Sequence, residues 1–377
     1  INALLKAPVD LLWNGGIGTY VKSSRETHAD VGDKANDGLR VNGNELRAKV
    51  VGEGGNLGMT QLGRVEYGLN GGASNTDFID NAGGVDCSDH EVNIKILLGE
   101  IVAAGDMTGK QRNKLLAEMT DAVGALVLGN NYKQTQALSL AERRARERLA
   151  EYKRLMAALE AAGKLDRALE FLPTDDELNE RAANGRGLTR PELSVLISYS
   201  KIDLKEALLK SLVPDDDYLA REMETAFPAQ LTKKFGEAMR RHRLKREIVS
   251  TQIANDLVNH MGITFVQRLK ESTGMSAANV AGAYVIVRDV FRLPHWWQQI
   301  EALDYKVPAE LQLQLMDELM RLGRRATRWF LRSRRNEQDA GRDTAHFGPK
   351  IAQLGLKLDE LLEGPTRERW MVRYQSF

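Results

Sequence analysis

Residues 53–91 read EGGNLGMTQLGRVEYGLNGGASNTDFIDNAGGVDCSDHE. In this stretch Asn56 and Asn81 both have glycines close by and lie about one strand–helix–strand unit apart. Glycine lets a backbone approach a flat ligand closely, and an asparagine amide offers both a hydrogen-bond donor and an acceptor. The stretch therefore predicts an α/β segment whose loops contact a ligand.

The residues on either side extend this segment to three short strands, each followed by glycine or asparagine. The predicted strands are Val9–Trp13, Val50–Val51 and Phe78–Ile79. Met59–Leu69 is the predicted crossover helix between the second and the third. Parallel strands joined in this way place ligand groups at their carboxyl ends. We therefore predict an incomplete Rossmann-type parallel sheet in the first part of the chain.

The chain changes character near residue 105. About half of its glycines fall in the first hundred residues, whereas the remainder is rich in Leu, Ala, Glu, Lys and Arg. Four pairs there have capping-box spacing, which marks helix starts. The pairs are Thr108 with Gln111, Ser139 with Glu142, Thr174 with Glu177, and Thr189 with Glu192. We predict a mixed α/β domain over residues 1–105 and a multi-helix domain over residues 106–377, a fold that is α/β and then mainly α.

Composition gives the broad class. Of the 377 residues 42% are hydrophobic and 28% are charged, with a net charge of +1, which is typical of a globular protein and gives no case for a nucleic-acid or membrane partner. The single cysteine, Cys87, excludes an internal disulfide and fits a reducing cytosol. We expect a soluble, cytoplasmic protein. Because the chain begins with Ile1, close to a predicted strand, we also expect it to be the tail of a longer protein.

The candidate binding residues each have a structural alternative. Gly15 and Gly16 follow the first predicted strand, where they either contact a ligand or form a plain turn. Asn56 and Asn81 follow the next two strands and either contact a ligand or cap a strand end. Ser88 is predicted at the start of the following helix, where its hydroxyl caps the helix or reaches a carboxylate.

Two other groups of residues favour structural roles. Asp86, Asp89, His90 and Glu91 are adjacent, but one histidine among carboxylates at these spacings does not make a metal site, and no metal is predicted. The segment Arg321–Arg335 holds seven arginines and two aromatic residues. It could bind RNA or an acidic surface, but overall neutrality favours an amphipathic helix with its arginines paired outside.

At residues 53–91 the chain resembles a known family. EGGN followed by NAGGVDCSDHE is similar to the glutamate dehydrogenase pattern E-G-A-N followed by N-A-G-G-V-x-x-S-x-x-E. The strings at 8–24, 32–43 and 75–98 resemble the very large NAD-specific glutamate dehydrogenases of bacteria, and the string at 185–205 resembles their C-terminal extension. The resemblance covers essentially the whole chain.

This resemblance implies oxidation of L-glutamate to 2-oxoglutarate and ammonia, with NAD as the cofactor. It implies that Asn56 and Asn81 lie beside the cofactor, that Gly15 and Gly16 form a loop close to it, and that Ser88 binds the side-chain carboxylate of glutamate. Residues 1–105 would be the C-terminal part of the NAD-binding domain. For residues 106–377, which are rich in Arg and Trp, we expect a role in assembly, as a homo-oligomer, or in regulation; this expectation comes from the composition and not from the resemblance.

The chain also departs from the family pattern. Gly55 replaces the usual alanine, and Leu57-Gly58 stands where ordinary members have Gly-Pro. The family's catalytic Lys and Asp lie upstream and have no match here, so we expect no catalytic residue in this chain and no turnover by it alone. Two rival functions stay open: a dehydrogenase for another amino acid, and a helical module that binds protein or RNA.

Overall fold

A computed structural model of the chain describes residues 1–334 and 339–375. The described residues are mainly helical and carry a small parallel sheet near the start of the chain. The strands are β1 (Leu11–Asn14), β2 (Val21–Lys22), β3 (Val41–Asn42), β4 (Val50–Glu53) and β5 (Ala73–Ser74). From Ala82 onward the described residues form helices and connecting loops, so the predicted order, α/β and then mainly α, is confirmed.

The helices vary from single turns to long rods. The helices of the sheet region and its surroundings are α1 (Asn2–Leu5), α2 (His28–Val31), α3 (Gln61–Leu69), α4 (Asp77–Asp80), α5 (Ala82–Ala103), α6 (Gly109–Glu118), α7 (Thr120–Arg143), α8 (Leu149–Ala161), α9 (Asp175–Ala183), α10 (Arg190–Leu209), α11 (Ala229–Arg240) and α12 (Lys245–Met261). Further along lie α13 (Phe265–Thr273), α14 (Ala277–Val290), α15 (Leu293–Glu301), α16 (Ala309–Ser333), α17 (Ala340–Leu356), α18 (Leu358–Leu361) and α19 (Gly364–Gln375). Short 3₁₀ segments span Lys34–Asn36, Gly43–Glu45, Val213–Asp215 and Leu219–Ala226.

The main sheet has three parallel strands in the order β1-β4-β5. Leu11 is opposite Val50 and Asn14 is opposite Glu53, so β1 and β4 end together. Val51 of β4 is opposite Ser74 of β5. Because all three strands run the same way, their carboxyl ends form one edge. The strands β2 and β3 form a separate parallel pair.

The predicted third strand was wrong. Phe78 and Ile79 lie in the helix α4, and the third strand is Ala73–Ser74. Thr76 has extended backbone and Asp77 begins the first turn of α4, an arrangement that favours a helix start because the acidic side chain lies near the exposed backbone N–H groups. Ile79 is buried while its neighbour Phe78 is half exposed.

Three of the four predicted capping boxes are present, at Thr108, Thr174 and Thr189. The prediction at Ser139 was wrong, because Ser139 lies inside α7 and its hydroxyl donates to the carbonyl oxygen of Thr135 at 3.2 Å. A serine inside a helix often makes this bond to the preceding turn. The sequence pattern therefore located most of these helix starts in the second part of the chain.

An apolar cluster supports the sheet from one side. Its members come from both sheets, from α3 and from the loops between them: Val21, Val41, Leu46, Ala48, Val51, Met59 and Tyr67. The hydroxyl of Tyr67 donates to the carbonyl oxygen of Ala48 at 2.8 Å, which satisfies its one buried polar group. This cluster fixes β4 and α3, the two elements that carry the polar loops of the sheet edge.

The chain forms two compact units, residues 1–271 and a second unit that begins at Ser272. In the first unit α10 packs against α12, α7 and α3. In the second unit α14 packs against α15, α16 and α17. Among the helices of residues 1–334 and 339–375, none has the length and apolar character needed to cross a membrane.

The arginine-rich segment forms an amphipathic helix, as predicted. Phe330 and Leu331 of α16 are buried, while Trp329 is half exposed. Arg321 pairs with Glu318 at 3.3 Å, and Arg334 pairs with the buried carboxylate of Asp343 at 3.1 Å. The last predicted residue of this segment, Arg335, lies outside the described residues.

Candidate functional site

The candidate site is the edge formed by the carboxyl ends of the three parallel strands. Asn14 and Glu53 end β1 and β4, and Asn75 directly follows β5. The backbone N–H of Gly54 donates to the carbonyl oxygen of Asn14 at 2.8 Å, so the ladder continues one step into the loops. Polar loops at this edge are the usual ligand-binding position of a parallel α/β sheet.

The two asparagines predicted from the sequence meet directly. Nδ2 of Asn81 donates a hydrogen bond to Oδ1 of Asn56 over 2.6 Å. The position of Asn81 differs from the prediction, because it joins α4 to α5 and does not end a strand. The single turn of α4 carries the chain from β5 back towards the loop after β4. Both amides therefore lie at the same edge although one of them was assigned to the wrong element.

Two glycine loops touch backbone to backbone beside this pair. A Cβ on Gly55 would lie 2.5 Å from the carbonyl oxygen of Gly16, so only glycine fits at position 55 without moving the loop. A Cβ on Gly58 would overlap the side-chain amide of Asn14. At Gly15 an added Cβ would make an ordinary contact with Trp13. The close approach thus depends on Gly55 and Gly58, and it places Gly16 next to the segment that carries Asn56.

Ser88 lies further along α5. The helix begins at Ala82, so Ser88 is in its second turn and does not cap it, contrary to the prediction. Its exposed hydroxyl donates to the carbonyl oxygen of Gly84 at 3.2 Å, a long distance for a hydroxyl donor. Ser88 is seven positions beyond Asn81, the residue that precedes the helix, and this offset corresponds to about 10 Å along the axis.

A buried ion pair that the sequence reasoning missed holds the central loop. Glu53 and Arg64 are both almost fully buried, and the guanidinium donates to the two carboxylate oxygens at 2.7 and 2.9 Å. The backbone N–H of Met59 donates to the same carboxylate at 3.0 Å. Burial raises the pKa of Glu53 above its ordinary value, against the opposing effect of Arg64. The pair closes the loop from residue 53 to residue 59, and the Glu-to-Arg spacing of eleven residues gives no recognisable sequence signal.

Aspartates of α4 hold the same loop from its outer side. Leu57 has φ of +55°, a conformation that side chains other than glycine rarely adopt. Its N–H donates to Asp77 at 2.8 Å and its carbonyl accepts from the hydroxyl of Thr19 at 2.7 Å. Asp80 accepts from the N–H of Glu53 at 3.0 Å. The loop that presents Asn56 is therefore held in a strained shape by several side chains.

The acidic cluster on α5 has protein partners. His90 is buried, and its Nδ1 lies 2.9 Å from the carbonyl oxygen of Ala226. Asp86 accepts from the side-chain amide of Asn130 at 2.9 Å. Within the part of the chain that the structure describes, no three His, Cys, Asp or Glu side chains are arranged to hold a metal ion.

A parallel sheet with polar, glycine-rich loops at its carboxyl edge, continued by packed helices, defines the class as an α/β protein with a helical extension. Residues 1–141 match the family model of the bacterial NAD-glutamate dehydrogenase catalytic domain, and residues 185–377 match that of the glutamate dehydrogenase C-terminal region. The chain belongs to the bacterial NAD-glutamate dehydrogenase family.

Individual relatives agree with this assignment. The chain is 86% identical over all its 377 residues to an NAD-specific glutamate dehydrogenase of Pseudomonas aeruginosa, and 58% identical over the same length to one of Halomonas elongata. It is 43% identical over 367 residues to one of Mycobacterium tuberculosis. The chain spans 23%, 23% and 22% of the length of these proteins.

Proposed function

We propose that the chain is part of an enzyme that oxidises L-glutamate with NAD and water to 2-oxoglutarate, ammonia and NADH. The observation that carries the proposal is the hydrogen bond between Asn81 and Asn56, at a sheet edge where Gly16 and Gly55 touch. The name shared by the relatives supports the choice of reaction.

The residues at this edge fit the nicotinamide end of NAD. After their mutual bond, each asparagine amide still has an N–H donor and a carbonyl lone pair, which match the donor and acceptor of a carboxamide. Asn56 is exposed and therefore accessible. The bare backbone of Gly15 and Gly16 allows a flat ring to approach. When bound, NAD supplies the hydride acceptor, and the role of this chain is to position it.

Ser88 is the proposed contact for the side-chain carboxylate of glutamate. Its hydroxyl is exposed, and its long bond to Gly84 is easily exchanged for a charge-assisted bond to a carboxylate. A hydroxyl that binds a second carboxylate also separates glutamate from amino acids with apolar side chains.

For the domains we propose that residues 1–105 are the C-terminal part of a Rossmann-type NAD-binding domain. Leu11, Trp13 and Val50 are exposed on the three-stranded sheet, as expected where a larger domain continues. Residues 106–377 would support homo-oligomer assembly or regulation. We further propose that this chain does not oxidise glutamate alone, because the general acid and base come from elsewhere in the enzyme.

Calorimetric titration with NAD tests the proposal on two proteins: this chain, and the chain extended upstream to the length of its relatives. We expect the extended protein to bind NAD and to produce NADH from glutamate, and this chain to produce none. An extended protein that binds NAD but does not reduce it with glutamate would contradict the reaction. NADH production by this chain alone would contradict the proposal that the general acid and base lie outside it.

L-norvaline provides the matched substrate, because it has a methyl group where glutamate has its second carboxylate. In the extended protein, Ser88→Ala should raise the KM for glutamate by about tenfold or more and leave the KM for norvaline unchanged. A hydrogen bond to a charged group contributes about 1.5–3 kcal/mol, and about 1.4 kcal/mol corresponds to a tenfold change. Equal changes in KM for the two substrates would show that Ser88 does not bind the side-chain carboxylate of glutamate.

A further inference from the structure

Arg190, the first residue of α10, joins the helical part of the chain to the carboxyl edge of the sheet. Only 15% of its side chain is exposed. Its Nε donates to Oδ1 of Asn75, the residue that directly follows β5. Arg190 belongs to residues 106–377 and Asn75 to residues 1–105, so a single side chain connects the two parts of the chain.

The rest of the guanidinium is bound on one face of α7. Its Nη1 lies 3.0 Å from Oγ of Ser139 and 3.0 Å from Oε2 of Glu142. Its Nη2 donates to the carbonyl oxygen of Thr135 at 3.0 Å. Residues spaced i, i+4 and i+7 lie on the same side of a helix. Ser139 and Glu142, which were predicted to form a capping box, therefore act together as acceptors for Arg190.

Asn75 links this arginine to the edge that carries the candidate cofactor contacts. Its Nδ2 donates to Oδ1 of Asp80 at 2.6 Å, and the other oxygen of that carboxylate accepts from the backbone N–H of Glu53 at 3.0 Å. Asp80 therefore fixes α4 against the end of β4. Asn81 is the next residue, and its Nδ2 donates to Asn56 at 2.6 Å. Three side-chain hydrogen bonds thus lead from the guanidinium to the amide of Asn56.

The start of α10 is anchored independently of this path. Thr189 and Glu192 form its capping box, and Nη1 of Arg181 donates to both oxygens of the buried Glu192 at 2.8 and 2.9 Å. On the other side, the side-chain amide of Gln61 in α3 donates to the carbonyl oxygen of Pro191 at 3.3 Å. The backbone that carries the guanidinium is therefore held between α3 and α9.

We propose that Arg190 is a positioning residue of the cofactor site. It orders the bond of Asn75 to Asp80 and, through that bond, the amides of the two candidate asparagines. Amides that are ordered before the ligand arrives lose less conformational entropy on binding. The inference rests on the proposed binding of NAD. It gives the helical part of the chain a role in cofactor binding in addition to the proposed role in assembly or regulation.

Calorimetric titration of NAD into the upstream-extended protein tests the proposal. Arg190→Met should raise the Kd for NAD about fivefold, which is the effect of one typical hydrogen bond. A parent protein that does not bind NAD would overturn the proposed function and this inference with it. Binding by the parent with an unchanged Kd in Arg190→Met would overturn this inference alone.

A double-mutant cycle separates positioning from a general loss of stability. If Arg190 acts through the asparagine pair, Arg190→Met should change the Kd for NAD less than twofold in the Asn56→Ala background, where the ordered pair is already lost. A purely structural role predicts the same fold-change in both backgrounds. Equal fold-changes would therefore overturn the inference.

Arg181→Met is the matched control. The side chain of Arg181 is 16% exposed and also binds to the first turn of α10, but its partner there is Glu192. This variant should lower the stability of the chain to urea and leave the Kd for NAD unchanged. A Kd raised as much as in Arg190→Met would show that any loss at the start of α10 weakens binding, and it would overturn the inference.

Asn75→Ala tests the same path without leaving Arg190 unpaired, and it replaces Arg190→Met if that variant does not fold. It should raise the Kd for NAD about fivefold in the parent and less than twofold in the Asn56→Ala background. Hydrogen exchange on this chain without NAD gives a second readout. The amide of Glu53, which donates to Asp80, should exchange at least fivefold faster in Asn75→Ala than in Arg181→Met. Equal exchange rates in these two variants would overturn the inference.

Discussion

Nδ2 of Asn81 and Oδ1 of Asn56 are 2.6 Å apart, although 25 residues separate them in the chain. The bond joins the loop after β4 to the junction of α4 and α5, and it holds both amides in fixed orientations before any ligand is present. Side chains that are already ordered lose less conformational entropy when a ligand binds. We therefore expect the two asparagines to act together in binding a ligand.

A double-mutant cycle in the upstream-extended protein tests whether Asn56 and Asn81 act together. Asn56→Ala and Asn81→Ala should each weaken NAD binding about 5- to 10-fold, since one hydrogen bond contributes about 1 kcal/mol. The double variant should be no weaker than about tenfold, because either substitution already removes the shared orientation. Calorimetry gives the three dissociation constants. Asn113→Ala, on the exposed helix α6, is the control, and fully additive effects would show that the two residues act independently.

Gly55→Ala tests the close approach of the two loops. The new Cβ would lie 2.5 Å from the carbonyl oxygen of Gly16, and backbone on both sides has to move. We expect a loss of about 1–3 kcal/mol in unfolding free energy and a more than tenfold weaker binding of NAD.

The matched control for that variant is Gly99→Ala. Gly99 lies on an exposed face of α5, where an added Cβ meets nothing within 4 Å. Alanine is favoured over glycine inside a helix, so this variant should be about 1 kcal/mol more stable than the parent chain. Urea unfolding measures both variants, and a neutral Gly55→Ala would show that the loops separate freely.

Much of the sheet edge was predictable because parallel strands bring their ends together whatever the exact strand limits. Asn56 and Asn81 were expected at one edge, and they meet there even though Phe78–Ile79 is helical. The true third strand, Ala73–Ser74, is two residues long and has no β-branched residue. This strand pairs through its backbone, so the pattern of hydrophobic residues in the sequence does not reveal it.

Side-chain partners from distant parts of the chain were not predictable. Lys201 lies in a string that resembles the family's C-terminal extension, but the sequence does not show that its Nζ donates to Oε1 of Gln134 at 2.7 Å or that burial lowers its pKa. Its environment arises when α10 packs against α7 and α12, and that packing depends on the whole unit. The ion pair of Glu53 and Arg64 was not predictable for the same reason, because its strength depends on burial, which the packing of the whole unit determines.

Glu53→Gln tests the buried pair. The substitution removes one of two carboxylates from the buried Arg64, because Asp77 lies 3.1 Å from the same guanidinium and stays in place. The expected loss is therefore about 1–3 kcal/mol. Urea unfolding should show this loss. The exposed pair of Lys49 and Asp10, 2.7 Å apart, is the control, and Asp10→Asn should cost less than about 1 kcal/mol. Similar costs for the two variants would mean that burial adds nothing to the pair at Glu53.

The lowered pKa of Lys201 should make the stability of the chain depend on pH. Its folded pKa of about 7 lies below the ordinary value of 10.5, so between these two values the unfolded chain binds more protons than the folded chain. The contribution of Lys201 to the free energy of unfolding should then rise with pH above 7, by at most about 1.4 kcal/mol per pH unit. Urea unfolding at pH 6.5, 7.5 and 8.5 measures the slope.

The variant Lys201→Met should remove this slope. It should also be more stable than the parent chain at pH 6.5, because it no longer buries an ammonium group. The control is Lys210→Met, because Lys210 is exposed at the end of the same helix, α10. Lys210→Met should keep the parent slope, and a Lys201→Met slope equal to that of the parent would show that Lys201 stays charged in the folded chain.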